Sequence, residues 1–395
     1  MHGLAGIYFC IFGAMGVLLP FLPLLLVERG LSPIEISYVM VAQPVLGIIF
    51  PPIWGVLADL SQARQVFLRV ALLGVAGGAL LFLIEGGFLV CLLAAVVLWA
   101  FRAPVLPMVD AATHAALGAR QANFSRIRIF GSIGFAIFAL LGGWLGTKAL
   151  SWLIVLVSIL FALAGGFAWL VRDVPEVRRP GLLSRALEHG RGAGLLPLFF
   201  GSAFYYAGHA TFDVLFGLHA RALGLGPDFV GLAWTIGVGA EIVLMLCAPW
   251  LLRRVAANRL LVLAGVASVL RWSCLSVLTD GGSILLTQPL HGITFGLWYL
   301  SLTKAVQEKA PNELRTTLQS LAAAVAALGQ ITGYAGGGWL FEHGGGAWAF
   351  RGAAAMAVIG ALTYLFLLLA SQRADPERFS VGYECAGRAD SGSEV

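Results

Sequence analysis

Charged side chains are scarce in this sequence. Only 11% of its 395 residues are Asp, Glu, Lys or Arg, whereas 59% are hydrophobic and the mean hydropathy is +0.89. A soluble globule of this composition would expose far more apolar surface than water tolerates. The scarcity of charge therefore excludes a soluble protein and predicts an integral membrane protein embedded in a lipid bilayer.

Cysteine is also rare, and its spacing argues against further classes. The five cysteines form neither a CxxC motif nor a Cys/His cluster, so no disulfide framework or metal site is indicated. No nucleophile, base and orienting group are recognisable together, which argues against an enzyme. The net charge of +5 arises from basic residues in short connectors and not from a continuous patch, so we expect no nucleic-acid partner. We also expect no cofactor.

Long apolar runs dominate what is present. A helix of about 20 apolar residues crosses the ~30 Å hydrocarbon core of a bilayer. The first run is too long for the core of a signal peptide, so we expect it to be retained as a helix. Scanning with this length predicts twelve transmembrane helices, at 4–27, 34–57, 66–85, 88–112, 126–146, 150–171, 196–221, 228–251, 260–279, 283–306, 316–341 and 347–371.

Lys and Arg are distributed unequally between the connectors. Sixteen lie after even-numbered spans or in the tail, against four on the opposite side. The positive-inside rule therefore predicts that both termini are cytoplasmic. We expect the chain to reside in a bacterial-type inner (plasma) membrane.

A long polar connector divides the spans six and six. Residues 172–195 contain two prolines, several glycines and five arginines, and are predicted to be a cytoplasmic inter-domain linker. The predicted domains on either side are N-terminal and C-terminal six-helix bundles at 1–171 and 196–371, followed by a polar cytoplasmic tail at 372–395. Similar connectors, Gly30–Pro33 and Gly224–Pro227, recur in the two halves. The sequence thus predicts an all-α membrane protein of two pseudo-symmetric bundles.

Seven ionisable side chains lie inside or at the margins of the predicted spans. A charge near the bilayer centre costs roughly 2.5–3.5 kcal/mol on insertion scales unless it is paired or hydrated. Each such residue therefore marks a lined cavity, a relay or a structural pair. We expect Lys304 to extend to the cytoplasmic surface. The seven are Asp110, Arg128, Asp213, Glu241, Arg271, His291 and Lys304.

Besides Lys304, four of these groups lie on spans seven to ten. Asp213 is well inside its span, where an ionised carboxylate needs a cation or a proton. Glu241 and Arg271 lie near mid-depth, and two interpretations stay open: a salt bridge between them, or Glu241 as a proton carrier. His291, which shares a helix face with Trp298, is expected to relay protons or to hydrogen-bond a substrate.

The first half carries a cation beside an aromatic residue. Phe135 lies seven residues after Arg128 and therefore on the same helix face, which suits a small polar molecule with an apolar part. Asp59 and Arg64 lie at the first cytoplasmic connector. There we expect Asp59 to cap a helix or, with Arg64, to latch a gate.

Together these residues resemble the major facilitator superfamily, and within it the branch of lactose permease and the phenylpropionate permeases. The resemblance covers all twelve spans. The segment Gly55–Asp59 looks like the superfamily's loop motif, with Ala63 where a second glycine is usual. Asp110, followed eighteen residues later by Arg128, is similar to the acidic and basic pair that contacts sugar in lactose permease. The resemblance therefore implies that both contact substrate.

In the second half, the resemblance covers a charge network and also departs from it. Asp, Arg, His and Lys of lactose permease are matched by Asp213, Arg271, His291 and Lys304, and the first three belong to its charge and proton network. The permease's proton-carrying Glu, its neighbouring Lys and its sugar-stacking Trp are replaced here by Thr294, Gln288 and Phe135. Glu241 is therefore our preferred replacement proton carrier.

From these features we predict a secondary active transporter that works by alternating access around a midplane site. We expect proton-coupled symport of a small organic solute such as an aromatic carboxylate, driven by the proton gradient, by a monomer. A sugar or nucleoside symporter, efflux of amphipathic compounds, and a sensor that binds without transport stay open as alternatives. The predicted substrate contacts are Asp110, Arg128, Phe135, Arg271, His291 and Trp298, and the predicted proton-coupling residues are Asp213, Glu241 and His291.

Overall fold

The computed structural model describes residues 2–61, 63–118, 124–171 and 182–374. Almost all of them are helical, as the apolar runs predict. The α-helices are α1 (His2–Glu28), α2 (Pro33–Ser61), α3 (Arg64–Leu80), α4 (Phe88–Arg102), α5 (Val105–Leu117), α6 (Phe124–Gly146), α7 (Ser151–Phe167), α8 (Leu182–Gly192), α9 (Leu195–Ala222), α10 (Pro227–Arg254), α11 (Ala257–Leu275), α12 (Gly281–Leu286), α13 (Trp298–Lys309) and α14 (Arg315–Ala374).

Nine helical segments of the described chain are long and apolar enough to cross a membrane. One of them, Arg315–Arg373, is 59 residues long and bends at Gly345, so it supplies two crossings. The 28-residue α9 and the interrupted segment from α12 to α13 are less uniformly apolar and supply the last two. The fold is therefore the predicted one, twelve transmembrane helices in two six-helix bundles.

Several predicted spans differ from the structure in their continuity. The span predicted at 88–112 is two helices, α4 and α5, which separate at Ala103–Pro104 because proline cannot donate to the helical ladder. The span predicted at 283–306 is divided by a π-helical segment, Gly292–Leu297. The last two predicted spans, by contrast, are two helices that meet at a kink within α14, because Gly345 has φ of 71°, a left-handed value that glycine adopts without a steric penalty and that interrupts the helix.

The predicted linker contains a helix that the apolar scan does not detect. α8 packs on the second bundle, with Ala186 fully buried. His189 Nε2 lies 2.8 Å from the carbonyl oxygen of Lys309, and Arg185 pairs with Glu313 at 3.4 Å. α8 is thus anchored to the second bundle. Residues 172–181 of the linker and 375–395 of the tail lie outside the described residues.

In the described ranges, the two bundles meet mainly through three pairs of helices. We call the end of the molecule that carries the start of α1 and the end of α13 the terminus face, and the opposite end the far face. α1 packs against α9, α2 against α14 and α6 against α10. Close to the far face, Gly217 lies against the carbonyl of Pro20, and Gly338 lies against Ser37. The bundles are therefore closed at the far face.

A hydrogen bond also crosses between the bundles at the far face. The carboxylate of Glu342 accepts a hydrogen bond of 3.0 Å from the backbone N–H of Ile34, in the first turn of α2. At the terminus face, by contrast, α5 and α13 lack close packing against each other in the described ranges. The contacts between the bundles in the described ranges are thus concentrated toward the far face.

Candidate functional site

Arg271 is the centre of a buried polar network in the second bundle. Its side chain is fully buried and donates to His291 Nδ1 at 3.2 Å, to Thr294 Oγ1 at 3.0 Å and to Gln288 Oε1 at 2.9 Å. Its guanidinium also lies 4.4 Å from the ring centroid of Phe212. In this conformation the Arg271 side chain has no exposed surface, and its substrate contact stays a prediction. Its contacts orient His291.

His291 connects Arg271 to Glu241. Because Nδ1 accepts from Arg271, the neutral imidazole carries its proton on Nε2. Glu241 Oε2 lies 3.6 Å from that nitrogen, and the two residues are only 7% and 4% exposed. The alternative of a direct Glu241–Arg271 salt bridge is therefore wrong for this conformation, because His291 lies between the two charges.

The π-helical segment makes room for Glu241. A Cβ atom on Gly296 would lie 3.1 Å from Cγ of Glu241, and one on Gly292 would lie 2.9 Å from the carbonyl oxygen of Ala240. The widened turn frees the carbonyl of Thr294, which accepts a hydrogen bond of 2.6 Å from Tyr205. π-Helical turns occur frequently at functional sites. Here the turn brings α10 close enough for Glu241 to face His291.

Asp213 adds a second carboxyl group to this network. It is buried, and its Oδ1 lies 3.7 Å from Nε2 of His209, one turn earlier on α9. The rings of His209 and His291 are 5.5 Å apart. Asp213 is also within electrostatic range of Arg271. The structure thus brings together the three predicted proton-coupling residues, Asp213, Glu241 and His291.

Trp298 lies apart from this network. It is buried, its ring stacks on Tyr205 at 5.0 Å, and its indole N–H donates to the hydroxyl of Tyr364 at 2.8 Å. Its surroundings are a packed aromatic core within the second bundle. The structure therefore places Trp298 in this core, and its substrate contact stays a prediction.

In the first bundle, Asp110 and Arg128 meet around two aromatic residues of α1. The hydroxyl of Tyr8 donates to Asp110 Oδ1. The guanidinium carbon of Arg128 lies 4.0 Å from the ring centroid of Phe12 and 5.8 Å from that of Tyr8. Both Asp110 and Arg128 are half-buried, so they remain accessible to a solute. The predicted acidic and basic pair is therefore assembled, with two aromatic neighbours that the sequence analysis missed.

Phe135 links the two clusters across the bundles. Its ring lies 5.7 Å from that of Trp234, which lies 6.1 Å from that of His291. Seven residues closer to the terminus face, α6 carries Arg128 and α10 carries Glu241. These two are within electrostatic range of each other. The site therefore sets a cation of one bundle near a carboxyl group of the other.

The remaining predicted residues lie at the terminus face. The side chain of Asp59 lies outside the described residues, and Arg64 begins α3. Lys304 pairs with Glu308 at 3.6 Å and donates to backbone carbonyls at the end of α10, in agreement with a surface anchor. Across the described ranges, no group of three or more His, Cys, Asp or Glu residues is placed to hold a metal ion.

Comparison with known proteins relates most of the chain to one family. Residues 1–352 match the MFS_1 like family. The maltose permease of Geobacillus stearothermophilus is 27% identical over 341 residues, 85% of this chain and 86% of that protein. The probable 3-phenylpropionic acid transporter of Escherichia coli (strain K12) is 26% identical over 341 residues, 82% of this chain and 86% of that protein.

Among solved structures, the nucleoside transporter NupG is similar in fold. Its crystal structure superimposes with a TM-score of 0.80 at 16% identity, covering 93% of this chain and 98% of that one. A bacterial homolog of the human lysosomal transporter Spinster, solved in an inward-facing and unoccupied conformation, gives a TM-score of 0.69 at 14% identity, covering 94% of this chain and 96% of that one.

Proposed function

The chain belongs to the MFS_1 like family of membrane transporters, and on that premise we propose that it moves a small organic anion, such as an aromatic carboxylate, together with protons. The observation that carries this proposal is the position of Arg128 against an aromatic wall and within electrostatic range of a carboxyl group of the other bundle. Its guanidinium lies over Phe12, is half-buried, and is within electrostatic range of Glu241. An aromatic carboxylate has a charge for the guanidinium and a ring for the aromatic wall.

The same arrangement supplies a coupling mechanism. When Glu241 is ionised, its negative charge opposes a second anion beside Arg128. When Glu241 takes up a proton, Arg128 is left as an unbalanced cation and attracts the solute carboxylate. Binding of the proton and of the anion therefore favour each other, and each increases the affinity for the other by the same factor. This is the thermodynamic requirement for symport.

His291 and Arg271 fix the polar surroundings of the Glu241 carboxyl group. Arg271 fixes the ring of His291 through Nδ1, so that the opposite ring nitrogen faces Glu241. A ring held in this way offers Glu241 a polar neighbour inside an apolar region, and His209 with Asp213 extends the polar path toward α9. We assign the proton pathway to Glu241, His291 and Asp213.

The direction of access follows from the charge distribution. The excess of Lys and Arg supports a cytoplasmic position for the terminus face. The far face, closed by the Pro20–Gly217 and Ser37–Gly338 contacts, is then the outer side. On this assignment the structure is inward-facing, and transport alternates it with a conformation that opens at the far face.

A neutral sugar or nucleoside is the second candidate substrate. Asp110 beside Tyr8 accepts hydrogen bonds and repels anions, which favours a hydroxylated group at that position. The named relatives and structural neighbours include a maltose permease and a nucleoside transporter. The two candidate substrates differ in whether the group beside Arg128 carries a negative charge.

Uptake into proteoliposomes tests the proposal. With an imposed pH gradient, acidic outside, we expect radiolabelled 3-phenylpropionate to accumulate and a protonophore to abolish the accumulation. Accumulation of maltose or uridine without 3-phenylpropionate would select the second candidate. Extrusion of the label against the proton gradient would show efflux, and saturable binding without movement in either direction would show a sensor.

A further inference from the structure

Three uncharged polar side chains meet between the bundles, and one of them, Tyr334, is within electrostatic range of Asp213. They are Gln43 on α2, and Gln330 and Tyr334 on α14. The amide nitrogen of Gln330 donates to the hydroxyl of Tyr334 at 2.6 Å, and that hydroxyl donates to Oε1 of Gln43 at 3.4 Å. Tyr334 is fully buried, whereas the two glutamines are half-buried. The cluster therefore joins the bundles by hydrogen bonds and still faces open space.

The two glutamines have hydrogen-bonding capacity left over. Within the described residues, Nε2 of Gln43 and Oε1 of Gln330 have no hydrogen-bond partner, and neither atom is fully buried. Reversing both amides would leave the acceptor on Gln43 and the donors on Gln330. In either arrangement, one open donor group and one open acceptor flank the Tyr334 hydroxyl. Such groups at membrane depth require a water-filled cavity or a ligand.

Helix packing sets the depth of the first-bundle cluster. α1 and α9 run in the same direction, and Gly217 lies against the carbonyl of Pro20. Tyr8 and Tyr205 are each twelve residues before these two contacts. Because both helices rise about 1.5 Å per residue, Tyr8 lies level with Tyr205.

The same reasoning places the glutamine cluster. α9 and α14 also run in the same direction, and Gly333 lies directly against the carbonyl of Ala207. Gln330 and Tyr334 are therefore level with residues 204 and 208, within about one helical turn of Tyr205. The glutamine cluster thus lies in the same layer as Tyr8, which binds Asp110 beside Arg128.

We propose that Gln43, Gln330 and Tyr334 form a neutral binding subsite that takes a hydroxyl group of the transported solute, in the layer where Arg128 takes its charged or polar end. A hydroxyl both donates and accepts, so one such group satisfies both open amide positions. The inference rests on the proposed function and narrows its substrate class to a hydroxyl-bearing solute.

The subsite is also placed to sense the conformational change. Its two helices are among those that close the far face, where Gly338 lies against Ser37, one turn beyond Tyr334. When α2 and α14 separate there, Gln43 moves relative to Gln330, and a hydroxyl can no longer bridge them in the same way. Solute binding at the subsite is therefore coupled to the closure of the far face.

The test compares affinities on the purified full-length chain by isothermal titration calorimetry. The probes are 3-phenylpropionate, 3-(3-hydroxyphenyl)propionate, maltose and uridine. Because the hydroxyl gains two hydrogen bonds, we expect the native chain to bind the hydroxylated acid about five- to tenfold more tightly than 3-phenylpropionate. Gln43→Leu and Gln330→Leu should remove this preference, because each should weaken binding of the hydroxylated acid more than binding of 3-phenylpropionate.

Thr332→Val is the matched control, because Thr332 lies two residues from Gln330, is exposed, and bonds only within its own helix. It should retain the preference. Equal loss of affinity for both acids in the Gln variants, or no preference in the native chain, would overturn the subsite while leaving anion transport intact. Binding of maltose or uridine alone, lost in both Gln variants, would support the subsite and overturn the anion proposal. Binding of none of the four probes would overturn both.

Discussion

Glu241 and His291 face each other between α10 and the π-helical segment, with 3.6 Å between Oε2 and Nε2. The other ring nitrogen of His291 accepts from Arg271, so the imidazole cannot rotate away from Glu241 without losing that bond. Glu241 is also within electrostatic range of Arg128 in the other bundle. One carboxyl group therefore has a fixed polar neighbour on its own bundle and a cation across the interface.

Replacing Glu241 should abolish the coupling to protons without abolishing the movement of the solute. Glu241→Gln should abolish proton-driven accumulation of 3-phenylpropionate but retain counterflow exchange, because exchange needs no net proton release. Both are measured in proteoliposomes. Glu28→Gln, which changes an exposed carboxyl at the end of α1, should behave as the native chain. Normal accumulation in the Glu241 variant would eliminate this residue as the proton carrier.

The affinity for an aromatic carboxylate should decrease as pH rises. Proton uptake by Glu241 favours anion binding at Arg128, so the affinity for 3-phenylpropionate should fall as pH rises, by at most about tenfold per pH unit for one linked proton. In Glu241→Gln the affinity should stay at its low-pH value throughout. Calorimetric titrations across the pH range measure both, and an unchanged slope in the variant would contradict the Arg128–Glu241 coupling.

The fold was predictable because the bilayer sets a length that apolar runs must meet. The same reasoning cannot locate the breaks at Ala103–Pro104 and at Gly292–Leu297, since hydropathy averages over about 20 residues and a single altered turn leaves it unchanged. It also misses α8, which is amphipathic and too short to span.

The candidate site was predictable only where side chains are charged. Burial of a charge is costly, so Asp213, Glu241 and His291 stand out in any apolar run. Phe12 and Gln43 carry no charge, and their place in the site becomes visible only once the helices are packed. Which groups pair depends on the rotation of each helix, and a change of one residue in register moves a side chain by about 100°.

Replacing Arg271 should lower the thermal stability of the second bundle and should not remove a direct contact with the solute. Arg271→Leu leaves acceptors on Gln288, His291 and Thr294 without their donor, and each orphaned buried group costs about 1–3 kcal/mol. We expect a lower midpoint of thermal unfolding than that of Glu241→Gln. An unchanged midpoint together with lost binding of 3-phenylpropionate would show instead that Arg271 contacts the solute directly.

Gly338 tests whether the far face controls the conformational equilibrium. A Cβ at this position would clash with the side chain of Ser37 and lie 3.0 Å from the carbonyl oxygen of Pro33. Ser37 is fully buried and the carbonyl belongs to the backbone at the start of α2, so the clash is relieved most directly by separating α2 from α14. Gly338→Ala should therefore shift the population toward a conformation open at the far face.

Gly336→Ala is the matched control for this shift, because a Cβ on Gly336 meets no atom within 4 Å. Double electron–electron resonance measures the distance between spin labels at the exposed positions Lys148 and Arg351. This distance reports the separation of the bundles at the far face. The distance distribution should move to longer values in Gly338→Ala and stay as in the native chain in Gly336→Ala. Since the Gln43–Tyr334 hydrogen bond joins the same two helices, the Gly338 variant should also bind 3-(3-hydroxyphenyl)propionate more weakly. An unchanged distance distribution in Gly338→Ala would mean that α2 and α14 absorb a methyl group without separating, and that the closure depends on the other two helix pairs.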